Sequence, residues 1–329
     1  MSKAHLIGVG SPLVDLLAHV PDAFLSEIGG LKGGTEMVDA ATQEAFRSKL
    51  TELPERAPGG SAANTVVGAT RLGLKTGLLC KVGEDDDAAF YRGCMEQAGI
   101  DTKGFKVNAD EPTGTCLSLI TPDGQRTMRT YLGAAATLAT GDITSSDFET
   151  YRHVHAEGYL LFNKDLMLHI LQCAKQAGCT VSLDVSAPEV IMAAGVGPLR
   201  EILEQYVDMV FANEDEAEAF SGTPDEHAGL LALGECCTLA VVKLGARGVS
   251  MIQDGEELFA ETTPVRPVDT TGAGDLWAAG FLSGILTDQN LTVSARRGAA
   301  LGAHVVQQIG AWIPEEDWTK LRADLGIEP

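Results

Sequence analysis

Short β-branched apolar runs alternate with longer segments of helical period through most of this chain, and that rhythm limits the possible folds more than any other feature. "AHLIGVG" reads as a strand, "SAANTVVGATRLG" as a helix with a small-residue face, "TGLLCKVG" as a strand, and "DDDAAFYRGCMEQAG" as a helix ending at Gly99. The alternation resumes with "HVHAEGYLL" as strand, "DLMLHILQCAKQAG" as helix, "CTVSLDVS" as strand, "PLREILEQY" as helix, and "VDMVFAN" and "CTLAVVKLG" as strands. Strands separated by helices need crossover connections. The expectation is therefore an α/β fold whose mostly parallel sheet is covered on both faces. Ligands of such folds sit at the carboxyl ends of the strands.

Two stretches break the rhythm. Leu13 to about Asp39 and Pro112 to Leu132 read as strands without intervening helices, and "LSLITPDGQRTMRTYLG" carries a hairpin signal at Asp123-Gly124. Both excursions leave and re-enter the main domain, so roughly 13–39 and 112–132 are expected to form a small β-sheet lid within a single domain spanning 1–329. With 45% apolar residues, the chain has ample material for a core. Its formal charge of −22 argues against a nucleic-acid or anionic-membrane partner. An anionic ligand must then be held by backbone N–H groups and a few placed cations. Seven cysteines with no C-x-x-C pair fit a reduced compartment. No apolar run is long enough to span a bilayer, and the start of the sequence lacks a signal-peptide pattern, so the reading is cytoplasmic.

The stretch "VDTTGAGDLWAAGF" runs from a glycine turn straight into a helical pattern. Successive N–H groups in such a turn, at a helix N-terminus, bind phosphate without needing net positive charge. A carboxylate at that spot, Asp275, repels an anionic ligand unless it takes a proton, and an attacking hydroxyl supplies one. The pattern therefore suits phosphoryl transfer to an alcohol, with Asp275 as base and the Gly272, Ala273 and Gly274 amides stabilising the moving group. It is equally compatible with Asp275 merely capping the helix, whose field would keep the carboxylate ionised. "PGGSAAN" offers Gly59 and Gly60 for close backbone approach and Asn64 as donor and acceptor, or simply a glycine loop capped by Ser61. "VFANEDEAEAF" places Asn213 and Glu216 at a strand end and helix start, where acidic residues are common for dipole reasons. "EDDDAAF" is taken as helix capping. His153, His155 and Glu157 share one strand face, a pattern that superficially suggests a metal site.

"DTTGAGDLWAAGF" closely resembles the C-terminal signature of the ribokinase-like (PfkB) carbohydrate and nucleoside kinases, and "PGGSAANTVVGATRLGLKTGLLCKVGEDDDAAF" resembles their N-terminal one. The resemblance covers essentially the whole chain. It implies a three-layer α/β/α fold with a β lid, ATP and Mg²⁺ as co-substrates, and Asp275 as catalytic base. It also implies that Gly59, Gly60, Asn64 and the carboxylate of Asp15 hold acceptor hydroxyls, and that Glu157 lies near the substrate cleft. Asn213-x-x-Glu216 matches the segment that organises Mg²⁺ through water. Lys243, Gly245 and Gly248 border the nucleotide, and Ala300 and His304 neighbour the adenine. Asp269 matches a side-chain ligand of a monovalent cation, which predicts faster turnover in potassium than in lithium.

The lid segments resemble bacterial adenosine-kinase-like members in "FL…GLKGG…MVD" and "TMRTYLG". Adenosine is accordingly the leading acceptor. Another nucleoside or a furanose sugar is the alternative, as is a sugar acid such as 2-keto-3-deoxygluconate met by Arg126 and Arg129. A nucleotide-binding protein without turnover is the reading from another class. Stacking is expected for a base, and the lid region supplies only Phe24 and Tyr131 as clear aromatic candidates, without assigning a pair that sandwiches a purine. The oligomeric expectation is a monomer or a dimer joined through the lid-sheet edge.

Overall fold

The computed structural model describes residues 3–327. Among them, a nine-stranded sheet runs in the order Glu256–Ala260, Val249–Gln253, Leu239–Lys243, Met209–Asn213, Thr180–Asp184, Tyr151–Glu157, Ala4–Val9, Thr76–Val82 and Phe105–Val107. All neighbours are parallel except the two pairs made by the Val249–Gln253 strand. Side chains alternate across the sheet, so adjacent residues feed different cores. Leu6, Phe211 and Val241 pack with Trp277 and Phe281 on one face, while Ile7, Val210 and Val242 pack with Ile170 and Leu203 on the other. The result is helices on both faces of a mostly parallel sheet.

A second, five-stranded sheet runs Thr35–Met37, Arg126–Tyr131, Thr115–Ile120, Leu13–His19, Glu55–Gly59. Its hairpin turns at Asp123-Gly124, with Gly124 at φ 82°. Two features differ from the sequence reading. A helix, Asp22–Ile28, interrupts the first excursion. The strand Glu55–Gly59 also joins the sheet from outside the expected segments. "ERAPG" has no alternation to announce it, and Pro58 is tolerated because the strand lies at the sheet edge.

Two helices carry the signature motifs. Ser61–Arg71 and Ala273–Ile285 approach closely where Gly68 faces Ala279 and Leu276; a Cβ on Gly68 would lie 2.7 and 2.8 Å from their side chains. Ala273–Ile285 packs in turn on Leu291–Val305 through Gly280, Gly284 and Gly298. The small-residue face read from "SAANTVVGATRLG" is thus the surface that joins the first signature to the second.

Candidate active site

Four adjacent parallel strands of the large sheet end on a polar or charged side chain: Glu157, Asp184, Asn213 and Lys243. Register puts Glu157 opposite Asp184, and Asn213 opposite Lys243. These ends, the glycine turn at Gly272 and the small sheet enclose a cleft of about 920 Å³.

Asp275 lies in the first turn of Ala273–Ile285, which Gly272 opens at φ 74°. A Cβ at Gly272 would meet Ala311 at 2.5 Å, so glycine is required on two counts. The Asp275 carboxylate accepts from Ser61 Oγ at 2.7 Å and from Asn64 Nδ2 at 2.8 Å. Asn64 is oriented by Trp312, whose Nε1 donates to its Oδ1 at 3.2 Å. Burial pushes Asp275 up to about 6 against the pull of Asn64 and Ser61. The helix field therefore does not keep it at an ordinary aspartate value; desolvation wins, and the group is a stronger base for it.

Glu157 is wholly enclosed. Its two oxygens accept from the Ser11 and Ala62 amides at 2.7 and 3.2 Å, and burial pushes it up to about 7. It thereby ties the first strand to the first signature helix. Asp15, in the small sheet, is pushed up to about 6 by burial despite the attraction of Arg126. Gly59 serves it indirectly: a Cβ there would lie 2.9 Å from Asp15 Oδ1, so glycine leaves the carboxylate room, while Gly60 lines the cleft itself.

Asn213 and Glu216 form a reciprocal capping box, Glu216 N–H to Asn213 Oδ1 and Asn213 N–H to Glu216 Oε2, both 2.9 Å. They nevertheless face the cleft beside Asp184, and burial together with the Asp184 charge raises Glu216. Asp184 pairs with Lys243 at 2.8 Å. Lys243 Nζ stands 3.1 Å from where a Gly274 Cβ would lie, which brings the ammonium to the helix N-terminus. Gly245 and Gly248 line the same end.

Several expectations are corrected. Ala300 and His304 do not line the cleft; Ala299, Gly302, Ala303 and Val306 do. Spacing of three and four puts those residues on one helix face, and His304 turns aside to Asp317 at 2.9 Å. Phe24 is buried in the core, and Tyr131 hydrogen-bonds the exposed Glu111. The aromatics in the cleft are instead Tyr159 and Phe162, 45% and 60% exposed, together with Trp277. They were hidden because "EGYLLF" reads as a continued strand. The strand in fact stops at Glu157, and Gly158–Phe162 turns as a 3₁₀ helix, with Gly158 N–H on Ser186 Oγ at 2.9 Å. His153 and His155 are buried and bonded to Ser182 at 2.8 Å, held well below the usual imidazole range by burial.

Arg126 and Arg129 point to opposite sides of their strand, and neither lines the cleft. Arg129 donates to the Gly29 carbonyl at 2.7 Å. Arg126 donates to Asp269 at 2.9 Å and to Ser118 at 2.9 Å. Asp269 also accepts from Thr271 N–H, Thr271 Oγ and Gly310 N–H at 2.9, 2.7 and 2.8 Å. Burial opposes its ionisation, but these donors hold it below the ordinary range. The expected monovalent cation at Asp269 thus meets a carboxylate already engaged by an arginine. Asp184, Ser61 and Trp312 went unread as site residues. Asp184 had a signal, its place at a parallel strand's carboxyl end; the other two had none, because their roles depend on a helix and a loop far away in the chain.

Comparison with known proteins shows the family. The profile of the pfkB family carbohydrate kinases matches residues 37–318. A 2-dehydro-3-deoxygluconokinase of Bacillus subtilis is 30% identical, over 76% of this chain and 81% of its own. An adenosine kinase of Saccharomyces cerevisiae is 30% identical, over 95% and 98%. The crystal structure of adenosine kinase from Sinorhizobium meliloti superposes with a TM-score of 0.88 at 29% identity, covering 98% of this chain and all of that one (100%). With a family profile spanning most of its length and a relative 30% identical along 95% of it, the chain belongs to the pfkB family and is a kinase that transfers phosphoryl groups to a hydroxyl.

Proposed function

We propose that this kinase phosphorylates a nucleoside from ATP, with the 5′-hydroxyl of adenosine the leading acceptor. The observation that carries the reading is the lining of the cleft on the small-sheet side. Met37, Met128, Leu132, Leu138, Tyr159 and Phe162 make it apolar and aromatic, with Asp15 as its carboxylate. Among the described residues lining the cleft, Lys243 alone bears a fixed positive charge, and it stands at the phosphate end beside Gly274. A neutral acceptor with a flat ring fits that surface; a sugar acid would bring its carboxylate beside Asp15, where the nearest guanidinium, Arg126, does not line the cleft and is already engaged by Asp269 and Ser118.

In this reading Asp15 accepts hydrogen bonds from two adjacent hydroxyls of the acceptor. Asp275 takes the proton of the attacking hydroxyl as the new O–P bond forms and the bond from phosphorus to the ADP oxygen breaks. The amides of Gly272, Ala273 and Gly274 and the Lys243 ammonium stabilise the charge on the transferred group. Asp184 and Glu216 supply oxygen donors next to one another, a donor set suited to Mg²⁺ through its waters, and the ion when bound would screen the phosphates. Ala299, Ala303 and Val306 leave a shallow wall of small side chains for the nucleotide base.

The test is ATP- and Mg²⁺-dependent ADP release with adenosine, inosine, cytidine, ribose, fructose and 2-keto-3-deoxygluconate, using the Asp275→Asn protein as blank. Turnover of adenosine above the others is expected. Turnover confined to a sugar or to the sugar acid, the activity in the name of the Bacillus relative, overturns the acceptor assignment.

A further inference from the structure

The carboxylate of Asp269 has about four lone-pair positions, and four donors occupy them. Oδ1 takes the N–H and hydroxyl of Thr271 at 2.9 and 2.7 Å; Oδ2 takes Arg126 Nη1 at 2.9 Å and Gly310 N–H at 2.8 Å. Side-chain exposures of 5% and 7% keep water away from the Arg126–Asp269 pair. A metal ion reaching Asp269 must therefore displace a charged, buried hydrogen-bond donor and leave a guanidinium without its counter-ion, which is strongly unfavourable. The residues present do not fit a bound monovalent cation.

They fit something else. Arg126 comes from the small sheet, yet its side chain crosses to the loop that leads into the Gly272–Gly274 turn. Nη1 also lies 3.2 Å from Thr271 Oγ1, one residue before Gly272. Nη2 is fixed by Ser118 Oγ at 2.9 Å and stands 3.9 Å from Asp15 Oδ2. The one guanidinium thus sits between the acceptor-side carboxylate and the carboxylate that shapes the phosphate loop. Both ends are anchored.

We infer that Arg126 is a built-in monocation for the phosphate-binding loop, and that it makes the reaction of this chain independent of potassium. It acts through Asp269 and Thr271, so it is a positioning residue and not a group that touches the reacting atoms. The inference rests on phosphoryl transfer by this site and holds whichever hydroxyl compound is the acceptor.

The experiment compares wild-type protein, Arg126→Ala and Arg126→Lys in potassium, lithium and tetramethylammonium chloride at equal ionic strength. ADP release is measured with adenosine, or with whichever compound of the panel above turns over, and thermal unfolding is measured in the same salts without substrates. Wild-type rates are expected to agree within about twofold across the salts, while Arg126→Ala falls by on the order of tenfold or more in lithium and recovers severalfold in potassium. Arg126→Lys, which keeps the charge, should respond to no particular salt. Potassium should raise the melting temperature of Arg126→Ala above its value in lithium and leave the wild type unmoved. A wild-type rate or melting temperature that rises specifically with potassium overturns the inference. So does a folded Arg126→Ala protein that potassium neither accelerates nor stabilises. If Arg126→Ala does not fold, the wild-type and Arg126→Lys comparisons decide alone. Because the unfolding arm needs no acceptor, a wrong acceptor assignment leaves it readable.

Discussion

Replacing Asp275 by asparagine separates the chemistry of this site from its architecture. Asparagine keeps the outline of the side chain and can satisfy both neighbours. Its Oδ1 accepts from Asn64 Nδ2, and its Nδ2 donates to Ser61 Oγ, whose hydroxyl rotates to accept; the wild-type distances there are 2.8 and 2.7 Å. The helix junction should therefore survive while the proton acceptor is lost. Loss of a positioned general base is worth about a hundred- to ten-thousandfold in rate, or about 3–5 kcal/mol of transition-state stabilisation. Stability should move the other way. Burial raises the folded-state value of Asp275 from 3.8 to about 6, so the native protein binds that proton more tightly than the unfolded chain. Wild-type stability consequently declines as pH rises from about 4 to about 6, and the decline, up to about 3 kcal/mol for a shift of roughly two units, persists above it. Asparagine does not titrate. At pH 7.5 the variant should melt a few degrees above wild type, and near pH 4 the two should converge. The assays are steady-state ADP release and thermal unfolding across that range. A variant retaining more than about a tenth of wild-type kcat refutes the base assignment; one that melts below wild type at pH 7.5 refutes the argument that burying this charge is costly.

Three further outcomes are expected. kcat/KM should fall about tenfold per pH unit below about 6, where Asp275 becomes protonated; a flat profile down to pH 5 would show that no group with the raised value of Asp275 limits the reaction. Tyr159→Ala and Phe162→Ala should each raise KM for a nucleoside about 5- to 100-fold, the range of a lost base–aromatic contact, with little change in kcat, and an unaltered KM would remove these side chains from the acceptor site. Gly68→Val should push Ser61–Arg71 away from Ala279, which a Cβ would approach to 2.7 Å, costing about 1–3 kcal/mol of stability and lowering kcat as Ser61 and Asn64 lose Asp275. If the melting temperature drops and kcat does not, their hold on the base is dispensable.

Much of this was legible because parallel α/β architecture writes itself locally. A buried parallel strand must be apolar on both faces, and a crossover helix must show its period, so the main sheet could be read run by run. The glycine turn at Gly272 and the carboxylate at Asp275 were equally legible, since an anion-binding helix start is made by consecutive residues. Where a residue's role depended on a partner distant in sequence, the reading stopped. Asp269 looked like an open ligand until Arg126, 143 residues earlier, was seen on it. Ala300 and His304 missed the cleft because small residues surround that helix, and only packing selects the face carrying Ala299 and Ala303. Tyr159 and Phe162 were concealed by an apolar run that the chain breaks at Gly158.

By itself, then, the sequence determined the layered sheet, the glycine turn at Gly272 and the carboxylate of Asp275 at the helix start that follows it, each built from neighbouring residues under local steric and hydrogen-bonding rules. Tertiary structure decided which charges face the cleft and which neutralise one another. Arg126 is spent on Asp269, Lys243 pairs with Asp184 beside Gly274, and Asp275 is lifted to about 6. Those outcomes depend on burial and on contacts across the sheet junction, where a low dielectric makes each pairing matter and no stretch of sequence contains both partners.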